Sequence, residues 1–325
     1  MAADERGSGP FAPGSVSIRL YPHNELPADA VVAELCAQAG LALANSFDGV
    51  MTSEHHGGFA GYMAQPLQMA SFVLSEHATG WAAAAPLLLP LRSTVLVAEE
   101  VAWLQARHGG RVGLGVAAGA LPLDFAVAGV DQAGANDRFK AELPRLVAML
   151  RGRDLGELDG DPALRACREA PVPVLSAAVS VAAAVRAARC GAGILMEGMS
   201  TPERLVRLTR GFDDAGGTGA KVLIRRVWLG RVQSELIDNQ RTVYESYAAP
   251  TTSFGEDQTI ACDEPDEMAQ QLAATMEEVG ADALNLRVQL PGMSPEQVRE
   301  QIALIGSTVI PSLKKTWPSP GRDAL

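Results

Sequence analysis

Residues 50–59 read V-M-T-S-E-H-H-G-G-F, a run that starts like a buried strand and ends in a carboxylate, two histidines and two glycines. The same plan, a short apolar run leading into a helix-patterned stretch, recurs along the chain. S-I-R-L-Y (17–21) precedes A-D-A-V-V-A-E-L-C-A-Q-A-G, and A-A-A-P-L-L-L (83–89) precedes T-V-L-V-A-E-E-V-A-W-L-Q-A-R-H. R-V-G-L-G-V (111–116) comes before F-K-A-E-L-P-R-L-V-A-M-L-R. In the second half V-P-V-L-S-A, A-G-I-L-M-E, K-V-L-I-R-R-V-W-L and A-L-N-L-R-V open the remaining units. Near-continuous apolar strands that alternate with helices form a parallel sheet covered by helices. Eight such units in about 300 residues fit one closed (β/α)8 TIM barrel better than two doubly wound domains. The stretch running to about residue 263 is then an insertion between the seventh and eighth units. Barrel boundaries of 14–315 leave residues 1–13 and 316–325, rich in Gly, Pro and charge, as expected mobile tails.

Composition narrows the function classes. Apolar residues make up 47% and charged residues 20%, which suits a chain with a sizeable core. A formal net charge of −11 works against binding a nucleic-acid backbone or an anionic membrane. Cys36, Cys167, Cys190 and Cys262 are scattered and form no C-x-x-C pair, so reduced thiols in a cytoplasm are the simplest reading. The start lacks the basic flank and apolar stretch of a signal peptide, and residues 82–91 are too short to span a bilayer.

In a barrel of this kind chemistry sits at the C-terminal ends of the strands, where Glu54, His55 and His56 fall. Successive strand side chains point to opposite faces, so the two histidines cannot reach one metal ion. No metal site is expected. One imidazole should face the mouth while the other packs among helices.

At this point the chain resembles the bacterial luciferase-like flavin monooxygenases. The resemblance is carried by E-H-H after the second strand, by A-P-L-L-L-P-L-R-S-T-V-L-V-A-E-E-V-A-W-L-Q-A-R-H-G-G-R-V-G-L-G-V-A-A-G (85–119), by D-F-A-V-A-G (124–129) and by T-V-I-P-S-L-K-K near the end. It implies a reduced flavin across the barrel mouth, with His55 as the catalytic histidine that shuttles a proton; the other reading is a histidine that only bonds a loop carbonyl. It also implies that Ala85 and Pro86 back the flavin ring through a cis bond, where an ordinary trans kink is the alternative. Ser180 matches a phosphate-binding serine flanked by Ala178 and Val179, although a plain capping serine reads the same way. Ala117 and Ala118 stand where luciferase subunits carry Cys-Arg, so the phosphate grip must come from elsewhere, with Arg92 and Arg225 as candidates.

The resemblance implies reduced FMN, supplied by a separate reductase, acting with O2 to oxygenate a small organic substrate. A deazaflavin-dependent hydride transfer and a non-catalytic luciferase-like subunit are the alternatives. A homodimer is expected by family analogy, and the insertion is a candidate lid over the mouth. G-L-G-V-A-A-G (113–119) does not have the spacing of a dinucleotide fingerprint and reads as tightness at a strand end.

Overall fold

The computed structural model describes residues 9–59, 61–231, 234–247 and 258–317. Nine strands form in chain order: β1 (Val16–Arg19), β2 (Gly49–Thr52), β3 (Trp81–Leu88), β4 (Val112–Ala117), β5 (Val174–Ala178), β6 (Gly193–Met196), β7 (Lys221–Leu229), β8 (Ile260–Cys262) and β9 (Ala283–Arg287). Eight of them, all but β8, pair in parallel in the order β6-β5-β4-β3-β2-β1-β9-β7, and a β6–β7 pairing closes the ring. The single (β/α)8 barrel read from the repeats is the observed fold. The short strand β8 lies outside the ring. It pairs in parallel with the far end of β7, Val227 opposite Ile260 and Leu229 opposite Cys262. It therefore belongs to the expected insertion, together with the helix Ser234–Tyr247. Residues 232–233 and 248–257 of that insertion, on which the lid reading partly falls, lie outside the described residues.

Strand alternation separates two cores. Val50, Ala82, Val112, Leu114 and Ile194 face outward and pack with helical residues such as Leu35, Val101 and Leu143. Met51, Trp81, Ala83, Ala85, Leu175 and Leu195 face the lumen. The lumen narrows on β4, where two of the three inward positions, Gly113 and Gly115, are glycine. A Cβ on Gly113 would come 2.6 Å from Phe11 Cζ, and one on Gly115 would come 2.8 Å from Ala85 Cβ. The G-L-G of that strand is there for close approach, as the spacing argument held.

Phe11 corrects the expected tail boundary. Its ring is 2% exposed and meets Trp81 edge to face at 5.2 Å, closing the floor of the barrel. Flanking Gly and Pro masked one aromatic residue with a lumen to fill. At the other end the helix Ile310–Thr316 continues past the expected limit, and Trp317 packs against the core. Among the described residues no helix is long and apolar enough to cross a membrane.

Because Phe11 is a plug, Phe11→Ala should lower the unfolding free energy by about 3 kcal/mol in urea titrations. A residue in a loose tail would move it by less than about 0.5 kcal/mol.

Candidate functional site

Above the apolar floor the lumen carries a polar layer that sequence reading missed. Arg19 on β1 is 2% exposed. Its Nε donates to Asn285 Oδ1 at 2.9 Å, and its Nη1 donates to the Ala85 carbonyl at 2.6 Å and to Ser53 Oγ. Asn285 in turn donates to Ser17 Oγ at 2.9 Å. One buried guanidinium thus ties the ends of β1, β2, β3 and β9. A guanidinium taken out of water is costly unless its donors are met, and oxygens of Asn285, Ser53 and Ala85 meet three of them here.

The corner at Ala85–Pro86 is cis and sits where β3 loses register with β4, between Ala84 and Leu87. Its outer side is held by Glu54, which is 1% exposed. The Glu54 backbone N–H donates to Pro86 O at 3.0 Å. The carboxylate accepts from Leu88 N–H, from Arg92 Nη2 and from His56 Nε2, the last at 3.0 Å. Glu54 thereby fixes the loop that follows β2 against the end of β3. Arg92 is engaged through Nη2 by the Glu54 carboxylate and by Gln65 Oε1.

The histidine pair diverges as strand alternation requires. His56 turns outward to Glu54. His55 Nδ1 donates to Asp124 Oδ2 at 2.8 Å, and Asp124 Oδ1 accepts from the His56 backbone N–H at 2.8 Å. An ionised carboxylate only accepts, so this contact places the proton of a neutral imidazole on Nδ1 and leaves the Nε2 lone pair exposed. Nε2 has no hydrogen-bond partner among the described residues. The rings of Phe59 and Tyr62 flank the imidazole, with centroids 4.9 and 4.5 Å from its own. Asp124 stands 69 residues along the chain, in the first turn of the helix Pro122–Ala128, and is 1% exposed. It lies within the D-F-A-V-A-G segment, the only signal that could have found it.

The other expected positions fall on the β3–β5 side of the mouth. Alternation gives Ala117 the lumen face, while Ala118 and Ala178 pack toward the helical layer. Val179 is 57% exposed. Ser180 caps the helix Val181–Cys190, its Oγ accepting from Ala183 N–H at 3.3 Å. That is the plain capping geometry, and it leaves the N–H groups of Val181 and Ala182 without intrahelical acceptors. Arg204, not singled out in the sequence, donates to Val179 O at 2.7 Å beside them. Arg225 is 2% exposed and donates to Gly198 O and Gln258 O, while its Nε and Nη2 have no partner among the described residues. Burial lowers its pKa from the ordinary arginine value, against the opposing pull of Glu197. Small side chains at Ala85 and Ala117, open N–H groups at a helix start and a nearby guanidinium suit a flat ring system with an anionic tail.

A cavity of about 610 Å³ opens on the opposite, β1–β7–β9 side. None of the positions expected to contact a cofactor lines it. Tyr62 lines it and also touches His55, so the imidazole borders both halves of the mouth.

Comparison with known proteins follows from this geometry. The family model for luciferase-like monooxygenases matches residues 15–310. Among solved structures, monooxygenase RslO1 from Streptomyces bottropensis superposes with a TM-score of 0.75 at 19% identity, over 91% of this chain and 99% of that one. The oxygenating constituent of 3,6-diketocamphane monooxygenase from the CAM plasmid of Pseudomonas putida, in complex with FMN, gives 0.71 at 16% identity, over 92% and 98%. An F420-dependent secondary alcohol dehydrogenase with an F420–acetone adduct gives 0.71 at 17% identity, over 92% and 98%. At these identities the likeness is one of fold. No curated protein sequence matches.

Removing the bracket at the corner has a direct readout. Glu54→Ala leaves the buried Leu88 N–H without its acceptor and takes from Arg92 its carboxylate, and should cost about 2 kcal/mol of stability. Glu54→Gln, which keeps an acceptor, should cost less, measured by the same denaturant midpoints.

Proposed function

The chain belongs to the luciferase-like monooxygenase family, and from that premise we propose that it is a flavin-dependent monooxygenase using reduced FMN and O2 to oxygenate a small organic substrate. The observation that carries the proposal is the His55–Asp124 pair beside the braced Ala85–Pro86 corner. Bound reduced FMN would supply the two electrons that activate O2. The residues that would hold it are Ala85, Pro86 and Ala117 under the ring, and Ala178, Val179 and Ser180 with the open N–H groups toward its phosphate. Arg204 would give the charge that the alanines at 117 and 118 cannot.

The work of the protein then falls on His55. Asp124 holds Nδ1–H, so Nε2 is the nitrogen that can take a proton from a reacting group and return it. Phe59 and Tyr62 pack against the imidazole ring and limit its rotation. Asp124 also fixes the backbone of His56, so imidazole and loop are oriented by one buried carboxylate.

A second reading replaces FMN and O2 with a deazaflavin and hydride transfer. Its support is the F420-dependent dehydrogenase, which superposes as well as the FMN-bound oxygenase does. A separate flavin reductase, a homodimer and a cytoplasmic location complete the first reading as proposals.

Reduced FMN and reduced deazaflavin, each mixed with the protein with and without O2, separate the cases. O2-dependent oxidation of a substrate with FMN supports the monooxygenase, and O2-independent oxidation of the deazaflavin supports the second reading. Binding of neither points to a non-catalytic subunit. His55→Ala should lower kcat at least about 100-fold with little change in flavin affinity, and Asp124→Asn should lower it about tenfold or more. Equal losses of turnover and affinity in His55→Ala would assign that residue to binding.

A further inference from the structure

The lumen faces of β1 and β9 carry a polar ladder that climbs their shared seam and ends in the cavity on the β1–β7–β9 side. The two strands pair with Ser17 opposite Asn285 and Ile18 opposite Leu286. Alternation then turns Ser17, Arg19 and Tyr21 from one side, and Asn285, Arg287 and Gln289 from the other, toward the lumen. Each lower rung closes on a neighbour. Asn285 Nδ2 donates to Ser17 Oγ at 2.9 Å, and Ser17 Oγ donates onward to Leu284 O at 3.1 Å. Arg19 Nε donates to Asn285 Oδ1 at 2.9 Å, and Arg287 Nε donates to Tyr21 OH. The top rung stays open. The Tyr21 oxygen accepts from Arg287, while its own O–H has no acceptor among the described residues. Its ring is fixed: it is buried, with the Arg287 guanidinium carbon 5.2 Å over its face and the Tyr62 ring edge to face at 5.5 Å. Gln289 Oε1 is buried and has no donor among the described residues. Continuing the register two residues past the strand ends sets Tyr21 level with Gln289, their backbones about 4.8 Å apart. Both residues line the cavity.

From this open rung we infer that the cavity takes the organic substrate by an uncharged edge, in which a carbonyl oxygen stands beside an N–H or O–H donor on a ring. A phenol whose oxygen is already engaged offers its proton, and a buried amide oxygen only accepts, so the complement is one acceptor next to one donor. A cyclic lactam or a ring-borne hydroxy-ketone presents that pair. A hydrocarbon, a simple aldehyde or an ester leaves Gln289 unmet. Arg226 and Arg287 line the cavity too, but both are engaged within the chain, so selection falls to the uncharged rung. Leu26, Leu290 and Pro291 supply apolar wall for the ring, and about 610 Å³ is ample for such a molecule. Tyr62 touches both the Tyr21 ring and His55, which sets the bound edge beside the imidazole. The assignment to substrate therefore rests on the proposed role of that histidine.

The test is direct binding to the full chain, read by calorimetry or by ligand fluorescence. The probe is 2-quinolone, whose lactam N–H adjoins its carbonyl, compared with coumarin, which has a ring oxygen in place of that N–H. The quinolone should bind at least about tenfold more tightly. Gln289→Leu should remove that difference by weakening the quinolone alone, and Tyr21→Phe should weaken both probes, since both keep the carbonyl. If Tyr21→Phe does not fold, the quinolone–coumarin comparison on the wild-type protein and the Gln289→Leu variant still decide. Equal binding of the two probes, or Gln289→Leu weakening both alike, overturns the inference. Isoalloxazine also carries a carbonyl beside an N–H, so FMN titrated into the quinolone complex separates substrate from cofactor. Quinolone and FMN bound together support the substrate assignment, whereas displacement of the quinolone by FMN gives the rung to the cofactor and overturns it. Probe discrimination with no FMN binding at all sinks the FMN reading and leaves the chemistry of the rung standing.

Discussion

The mouth of this barrel depends on a charge buried where an alkyl side chain would be the ordinary choice. Arg19 rises from β1 into the lumen and hydrogen-bonds the Ala85 carbonyl, Ser53 and Asn285. Desolvating a guanidinium is paid back only if acceptors stand in fixed places, so the ends of four strands are constrained together. Glu54 performs the complementary task from outside, where it holds Leu88 N–H and Arg92 and receives His56. The two-residue corner of β3 is gripped on its inner side by the Arg19 guanidinium at Ala85 O and on its outer side by the Glu54 backbone N–H at Pro86 O, while the Glu54 carboxylate holds Leu88 just beyond. His55 sits one residue beyond that clamp, and its ring inherits the rigidity.

The lumen is graded along its axis. Phe11, Trp81, Met51, Leu175 and Leu195 fill the floor, the Arg19 layer lies above them, and the aromatic and cationic mouth lies above that. The floor excludes water and gives stability. The polar layer fixes the strand ends without filling the mouth, so the top remains available for chemistry. Its two halves differ: small side chains and a helix start on the β3–β5 side, guanidiniums and phenols on the β1–β7–β9 side.

Period-two alternation and the strand–helix repeat were legible, because they arise from local geometry that every residue obeys. They yielded the closed barrel, the insertion after the seventh strand and the divergence of His55 from His56. What stayed hidden depends on contacts far apart in sequence. Asp124 reaches His55 across 69 residues, and Arg19 meets Asn285 across 266. Nothing near Arg19 in S-I-R-L-Y distinguishes a lumen arginine from a solvated one. Phe11 was disguised by the glycines and prolines around it, and Arg92 looked free because its partner Glu54 was read as a loop residue. Arg204 sits on a different helix from the serine it approaches, so no spacing rule could join them.

The long strand β7 has a consequence of a different kind. Its lower part is wall shared with β6 and β9, and its upper part is paired with β8 through main-chain groups at Val227–Leu229. A ladder of amides recognises backbone, whatever side chains it bears. The extra segment is therefore docked by a connector that is indifferent to its cargo, and mutations in it can accumulate with little penalty to the ring beneath. Such a joint lets the extra segment change in sequence while the scaffold beneath it stays intact.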